Sequence, residues 1–199
     1  MVTRMSDNEN LFTDQVKKFL TENFNGKYTV AKKSETGANL RYGLIFDETG
    51  ALSPKKRGDV PTALDGMRGS YAFQADIVVH NGRVPLVVVE LKYSKYSTDQ
   101  IIAYSARAQR YRELYPYIRS GFVVGNKKAL GNKFFRHNRG FDFALALPDE
   151  NLQPLVEVVS RQLELAEAGL NVLVKRPVRC WENGALPVWA ESSDGDDED

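Results

Sequence analysis

One cysteine, Cys180, and two histidines, His80 and His137, are all that 199 residues provide of the softer metal ligands. A lone cysteine can form neither an internal disulfide nor a zinc site built from several thiolates, and it fits a reducing compartment. The histidines stand far apart in the chain and suggest no metal pair. Long hydrophobic runs are also missing: none approaches the roughly 18–20 residues that span a bilayer, so no membrane partner is expected. The opening "MVTRMSDNENLF" lacks the apolar core of a signal peptide, and cytoplasmic residence is the expectation. Without a glycine-rich phosphate loop ending in Lys-Ser or Lys-Thr, the chain encodes no nucleotide-driven motor of that type.

Net charge is only +1, but acids are unevenly spread. Residues 191–199, "ESSDGDDED", hold six acids, no base and nothing apolar to bury, so a disordered acidic tail is expected there. Apart from it, 27 basic residues face 20 acidic ones, about +7 for the body of the chain. Such a body suits a nucleic-acid partner, because Lys and Arg make phosphate contacts, although many domains of this charge bind nothing anionic. The length and a 42% hydrophobic content predict a single domain over residues 1–190.

Phe12, Val16, Phe19 and Leu20 recur at helical spacing within residues 8–24, which predicts an amphipathic helix ended by Gly26. "KYTVAKK" and "NLRYGLIF" read as short strands. Residues 47–70, rich in Gly, Pro and charge, read as an inserted loop or flap. Its Lys55, Lys56 and Arg57 are candidate phosphate contacts, with a solvated charge run as the alternative. "YAFQADIVVH" and "VPLVVVELKY" read as strands around "NGR", a hairpin signal. A helix over about 98–115 follows, where Ser97 and Gln100 fit a capping box and Pro116 closes the region. "GFVVGN" and "FDFALAL" predict buried strands, residues 151–168 a second amphipathic helix, and the segment around "ENG" a terminal hairpin. This order predicts an α/β domain: a central mixed β-sheet flanked by helices on both faces.

The chemistry gathers around "LVVVELKYS". Glu90 and Lys92 alternate along a strand, so both emerge on one face, at the end of four apolar residues. Across a hairpin loop of four or five residues centred near Gly82, Asp76 falls almost opposite. Two carboxylates so close repel each other, and burial sharpens the repulsion. A divalent cation resolves it, and two carboxylates, a backbone carbonyl and waters are the hard oxygen donors that suit Mg²⁺. The Lys alongside could hold or help deprotonate a metal-bound water, or stabilise charge developing on a phosphate. The plainer alternative is a structural ion pair at a sheet edge.

Asp76 followed by Glu90-Leu91-Lys92 on the next strand resembles the PD-(D/E)xK nuclease superfamily, over most of residues 8–147. In motif it is nearest to RecB-like and type I restriction nuclease domains. Ala75 stands where many members have Pro before the Asp. The resemblance implies a restriction-endonuclease-like fold and a Mg²⁺-dependent nuclease, Mn²⁺ substituting, that hydrolyses DNA phosphodiester bonds in restriction, repair or anti-phage defence. Asp76, Glu90 and the Leu91 carbonyl would hold the metal, and Lys92 would position the attacking water. It further implies a Gln on the helix after the Lys, often as Gln-x-x-x-Tyr. "QIIAY" offers Gln100 and Tyr104, and Gln109 is a rival two turns on; Tyr104 and Tyr111 also suit core packing. An acid on the first helix is implied as a further metal ligand. Glu9, in register with Phe12 and Val16, is the candidate, with a helix-dipole role as the alternative and Glu22 as the second choice.

"NKKALGNKFFRHNRG" at 126–140 sets Lys127, Lys128, Lys133, Arg136 and Arg139 around Phe134 and Phe135, a pattern suited to a phosphate backbone or to stacked bases, or else a plain surface loop. Cutting both strands of a duplex would call for a homodimer, a partner subunit or two events. A non-catalytic DNA- or protein-binding module on a nuclease-like fold is the alternative function.

Overall fold

In a computed structural model, residues 5–24, 26–33, 35, 39–41, 44–46, 52–54, 72–174, 178–180, 184–186 and 188–189 are described. The helical spacing of the opening segment produces helix α1 (Met5–Phe24), which buries Phe12, Val16, Leu20 and Phe24. Short strands follow: β1 (Thr29–Lys32), β2 (Asn39–Arg41), β3 (Leu44–Phe46), β4 (Leu52–Pro54) and β5 (Ala72–Gln74). Then come β6 (Ile77–Asn81), β7 (Val84–Tyr93), helix α2 (Thr98–Leu114) and β8 (Arg119–Gly125). Helix α3 (Asn132–His137), β9 (Phe143–Leu147), helix α4 (Gln153–Val174), β10 (Val178–Cys180) and β11 (Val188–Trp189) complete the order.

The main sheet has the strand order β1-β6-β7-β8-β9. β6 pairs antiparallel with β1 and β7, whereas β7–β8 and β8–β9 are parallel, so the sheet is mixed. β7, buried from Pro85 to Lys92, is its central strand, and its unbroken apolar run is what a strand covered on both faces requires. Pleating separates the two faces of β8. Gly125 lies on one, where an added Cβ would come within 2.8 Å of the Phe12 ring of α1. Phe122 lies on the other, against Tyr96, Phe134 and Phe141, in a cluster that also holds Ile101 and Ala108 of α2. Helices therefore cover both faces. No helix among the described residues is long and apolar enough to cross a membrane.

Three details depart from the sequence expectation. The strand expected over 71–80 divides at Ala75–Asp76, because β5 pairs with β2 while β6 pairs with β1. The β6–β7 connection is a two-residue turn at Gly82 and Arg83, with Gly82 at φ +57°, a conformation that favours glycine. Residues 132–137, expected as loop, form α3. β10 and β11 pair antiparallel around the "ENG" region. Of the flap expected at 47–70, only β4 is described, paired with β3. Lys55, Lys56, Arg57 and the tail at 191–199 lie outside the described residues.

Candidate functional site

The site grows from the β6–β7 register. Ile77 lies opposite Val89, so one step outward along the ladder brings Asp76 opposite Glu90. The Leu91 N–H donates to Asp76 Oδ2 at 2.9 Å and ties that carboxylate to the edge of β7. The N–H and C=O of one strand residue leave on the same side, so the Leu91 carbonyl faces the Asp76 side too. Glu90 pairs with Phe122 across β7–β8 and so projects onto the α2 face, only 3% exposed. Burial pushes its carboxyl up to about 8, and the Asp76 charge and a hydrogen bond to Asp76 push the same way. The cations of Arg107 and Lys92 pull against that rise without cancelling it. With no divalent cation beside it, Glu90 thus keeps its proton through neutral pH.

Lys92 projects beside Glu90, two positions on, and is 6% exposed. Its ammonium donates to Glu9 Oε1 of α1 at 2.6 Å and sits 5.2 Å from the Tyr104 ring centroid. Burial alone would lower its pKa, but the Glu9 hydrogen bond, Tyr104, and the Glu9 and Asp76 charges outweigh it and leave it raised. Glu9 therefore does lie on the core-facing side of α1, where it meets Lys92. Within the same turn the Thr13 hydroxyl donates to the Glu9 backbone carbonyl at 2.8 Å.

Helix α2 supplies the third side. Gln100, Tyr104, Arg107 and Tyr111 follow at i, i+4, i+7 and i+11, one stripe of a 3.6-residue helix. Gln100 completes the capping box: its Oε1 accepts from the Ser97 N–H at 2.8 Å, and the Ser97 hydroxyl accepts from the Gln100 N–H at 3.1 Å. Arg107 was not foreseen. Its Nη1 stands 3.5 Å from Glu90 Oε1, and its guanidinium lies 5.1 Å from the Tyr104 centroid, so the Tyr104 ring has two cations near it, Lys92 and Arg107. The spacing from Gln100 and Tyr104 could have found it. Tyr111 is wholly buried, and burial, followed by the Glu90 charge, pushes its hydroxyl up. Lys33, also unforeseen, approaches Asp76 Oδ1 at 3.9 Å from the end of β1, where its N–H donates to the Asp76 carbonyl.

The rivals lie elsewhere. Glu22 is exposed and pairs loosely with Lys18, and Gln109 is exposed on α2. His137 is half-buried at the end of α3. The basic segment follows the end of β8 that pairs in parallel with the Lys92 end of β7. Lys127 and Lys133 place their ammonium groups 5.4 and 4.5 Å from the Tyr96 ring centroid, and the Gly131 N–H donates to the Tyr96 hydroxyl at 3.0 Å. Lys128, Arg136 and Arg139 are exposed. Of the two phenylalanines, Phe134 is buried in the Phe122–Phe141 cluster and only Phe135, 68% exposed, can meet a ligand.

Asp76, Glu90 and the Leu91 carbonyl are the hard oxygen donors here that could hold a divalent cation, whose charge would take the place of the Glu90 proton. Glu9 does not extend this set as the side chains stand: among the described residues no group of three or more His, Cys, Asp or Glu gathers as a metal cluster. Its carboxylate serves Lys92 instead. Comparison of the chain with protein-family models, curated proteins and solved structures finds no match.

Proposed function

We propose that this is a metal-dependent nuclease of PD-(D/E)xK type on a restriction-endonuclease-like fold, hydrolysing nucleic-acid phosphodiester bonds, DNA first among them. The observation that carries the reading is the Asp76–Glu90 pair: one acid at the bend just before β6, the other on β7, 3% exposed and pushed to about 8, with Lys92 two positions further along β7. Setting a second acid beside a buried one drives it toward its neutral form at a cost in stability, which a site built to take a cation explains.

Asp76, Glu90 and the Leu91 carbonyl would hold Mg²⁺, which when bound supplies charge neutralisation at the phosphate and a more acidic water. The residues of the chain do the rest. Lys92 presents an ammonium that stays charged at neutral pH and can donate to the attacking water or to a phosphate oxygen. Glu9 orients that ammonium through its 2.6 Å contact. Arg107 presents guanidinium N–H groups beside Glu90, suited to a phosphate oxygen. Gln100 lies on the same stripe of α2 and orders its first turn.

A panel of plasmid, linear duplex, single-stranded and branched DNA, incubated with Mg²⁺ or Mn²⁺, tests this directly. Cleavage by the wild type and its loss in folded Glu90→Ala and Lys92→Ala proteins are expected. Retained metal-dependent cleavage by both purified variants would sink the assignment.

One feature favours a second reading, a non-catalytic binding module. Lys92 is matched by Glu9, and Glu90 faces Arg107, so the charges are answered within the chain. Absence of both metal binding and cleavage in the same panel would select it.

A further inference from the structure

We infer that α3 and its flanking loops form a stacking platform for an unpaired nucleobase. Phe135 takes the base, while Lys128, Arg136 and Arg139 take neighbouring phosphates. The inference rests on the nuclease reading for what lies over Glu90 and Lys92, and it names the substrate class as nucleic acid with unpaired nucleotides, a single strand or a flap.

Three observations meet in this segment. From Asn126 to Phe141 there are five basic residues and no acid. Lys128, Arg136 and Arg139 are exposed and make no side-chain hydrogen bond or salt bridge among the described residues. Phe134 and Phe135 divide the work: Phe134, 3% exposed, stacks on Phe122 and Phe141 and anchors the helix, which leaves Phe135 at 68% exposure. Isolated exposed apolar residues are ordinary on a surface. A single aromatic amid an unrelieved run of cations is the composition that binds single strands, since every base has a face to stack and each phosphate a charge to meet.

Position and rigidity add to composition. The platform is pinned to Tyr96, four residues beyond Lys92, by the Gly131 N–H, by both lysines over the ring and by Lys133 donating to the Tyr96 carbonyl. Its far end is held by Ser105 of α2, whose hydroxyl accepts from the N–H groups of Arg139 and Gly140. Phe134 packs on Phe122, the β8 partner of Glu90, so the platform lies on the sheet face that carries the acids. A strand stacked on Phe135 is thereby led toward Glu90 and Lys92. A duplex keeps its base faces covered and cannot use Phe135 in this way.

The test is fluorescence anisotropy with a labelled oligothymidylate and with a duplex of equal length, on the full chain in EDTA so that nothing is cut. Phe135→Ala is expected to weaken single-strand binding about tenfold or more, the range for loss of one stacked base, with duplex binding unchanged. Phe135→Trp should restore it. Unaltered single-strand affinity in Phe135→Ala, equal losses for both forms, or no binding of any nucleic acid by the wild type would each overturn the inference. Cleavage with Mg²⁺ separates it from the nuclease reading. Cleavage that is indifferent to Phe135 leaves the nuclease reading standing and removes the platform. Phe135-dependent binding without any cleavage keeps the platform and removes the nuclease reading.

Discussion

Lys92 Nζ donates to Glu9 Oε1 at 2.6 Å, joining the first helix to the end of the central strand across 83 positions of sequence. The ammonium is nearly buried, at 7% side-chain exposure, while the carboxylate keeps 33%. Fixing Lys92 therefore depends on α1, an element that carries none of the Glu-x-Lys motif.

Glu9→Gln removes the charge that answers this ammonium. Breaking a fully buried pair costs about 3–5 kcal/mol, and exposed pairs are worth under about 1 kcal/mol, so a loss of about 1–2 kcal/mol is expected in urea unfolding. The pair's stabilisation should be present below the ordinary lysine value of 10.5 and vanish as pH climbs past it, because the folded-state value is raised. In Glu9→Gln the ammonium titrates lower, and the alkaline limb of a cleavage pH profile should move down. Additive effects of Glu9→Gln and Lys92→Met in a double-mutant cycle would show that the contact carries no coupling.

Glu90 makes a separate pH prediction. Its carboxyl rises from the ordinary 4.5 to about 8 in the fold, so the native state binds more protons than the unfolded chain between those values. Stability without metal should be greatest below pH 4.5 as far as this group is concerned, and should fall as pH rises toward 8. Glu90→Gln keeps the shape, cannot ionise and should flatten that fall. Adding Mg²⁺ to the wild type should reverse the trend and release protons, measurable by calorimetry in buffers of different ionisation enthalpy. A pH–stability curve identical in wild type and Glu90→Gln would refute the assignment of the shift to this residue.

Arg107 adds a cation that holds Glu90 down, so Arg107→Ala should move the Glu90 step to still higher pH while Arg107→Lys leaves it nearly in place. If its guanidinium also meets the phosphate, kcat/KM should drop by about 10- to 100-fold in Arg107→Ala, the worth of a hydrogen bond to a charged group. Arg107→Lys should recover only part, lacking the planar fork. A shifted Glu90 step with unchanged kcat/KM would confine Arg107 to the role of counterion.

Some of this site can be read along one strand and some cannot. Glu90 and Lys92 are legible because a strand alternates strictly, and the capping box from Ser97 to Gln100 fixes where α2 begins. Asp76 was reachable because a hairpin joins neighbouring strands, even though a two-residue turn replaces the longer loop expected. Lys33 depends on β1 pairing with β6, a contact between segments more than forty residues apart with no local signature. α3 is hidden for a different reason: six residues are under two turns, and Gly131 at its N-cap offers no side chain to signal a start. What establishes α3 is burial of Phe134 on Phe122, which only the folded sheet provides.

The junction of α2 with the loop after α3 yields the last prediction. Ser105 is 2% exposed, and its hydroxyl accepts from both Arg139 N–H and Gly140 N–H, the latter at 2.8 Å. Ser105→Ala strands two amide donors in a site with little access to water. Asn138 Oδ1 accepts from Gly140 N–H at 3.2 Å and covers one in part, so a loss of about 1–3 kcal/mol is expected. Gly140→Ala should be worse, because a Cβ there would lie 2.1 Å from the Ser105 carbonyl oxygen and 2.7 Å from the Gln109 nitrogen, both backbone atoms of α2. The helix cannot yield without breaking its own ladder, so the loop must lift, at a cost of about 3 kcal/mol or more. Hydrogen exchange locates the damage: protection should fall first across 132–142 and be retained in β7. Wild-type stability for Gly140→Ala would mean that the loop does not rest on α2 in solution.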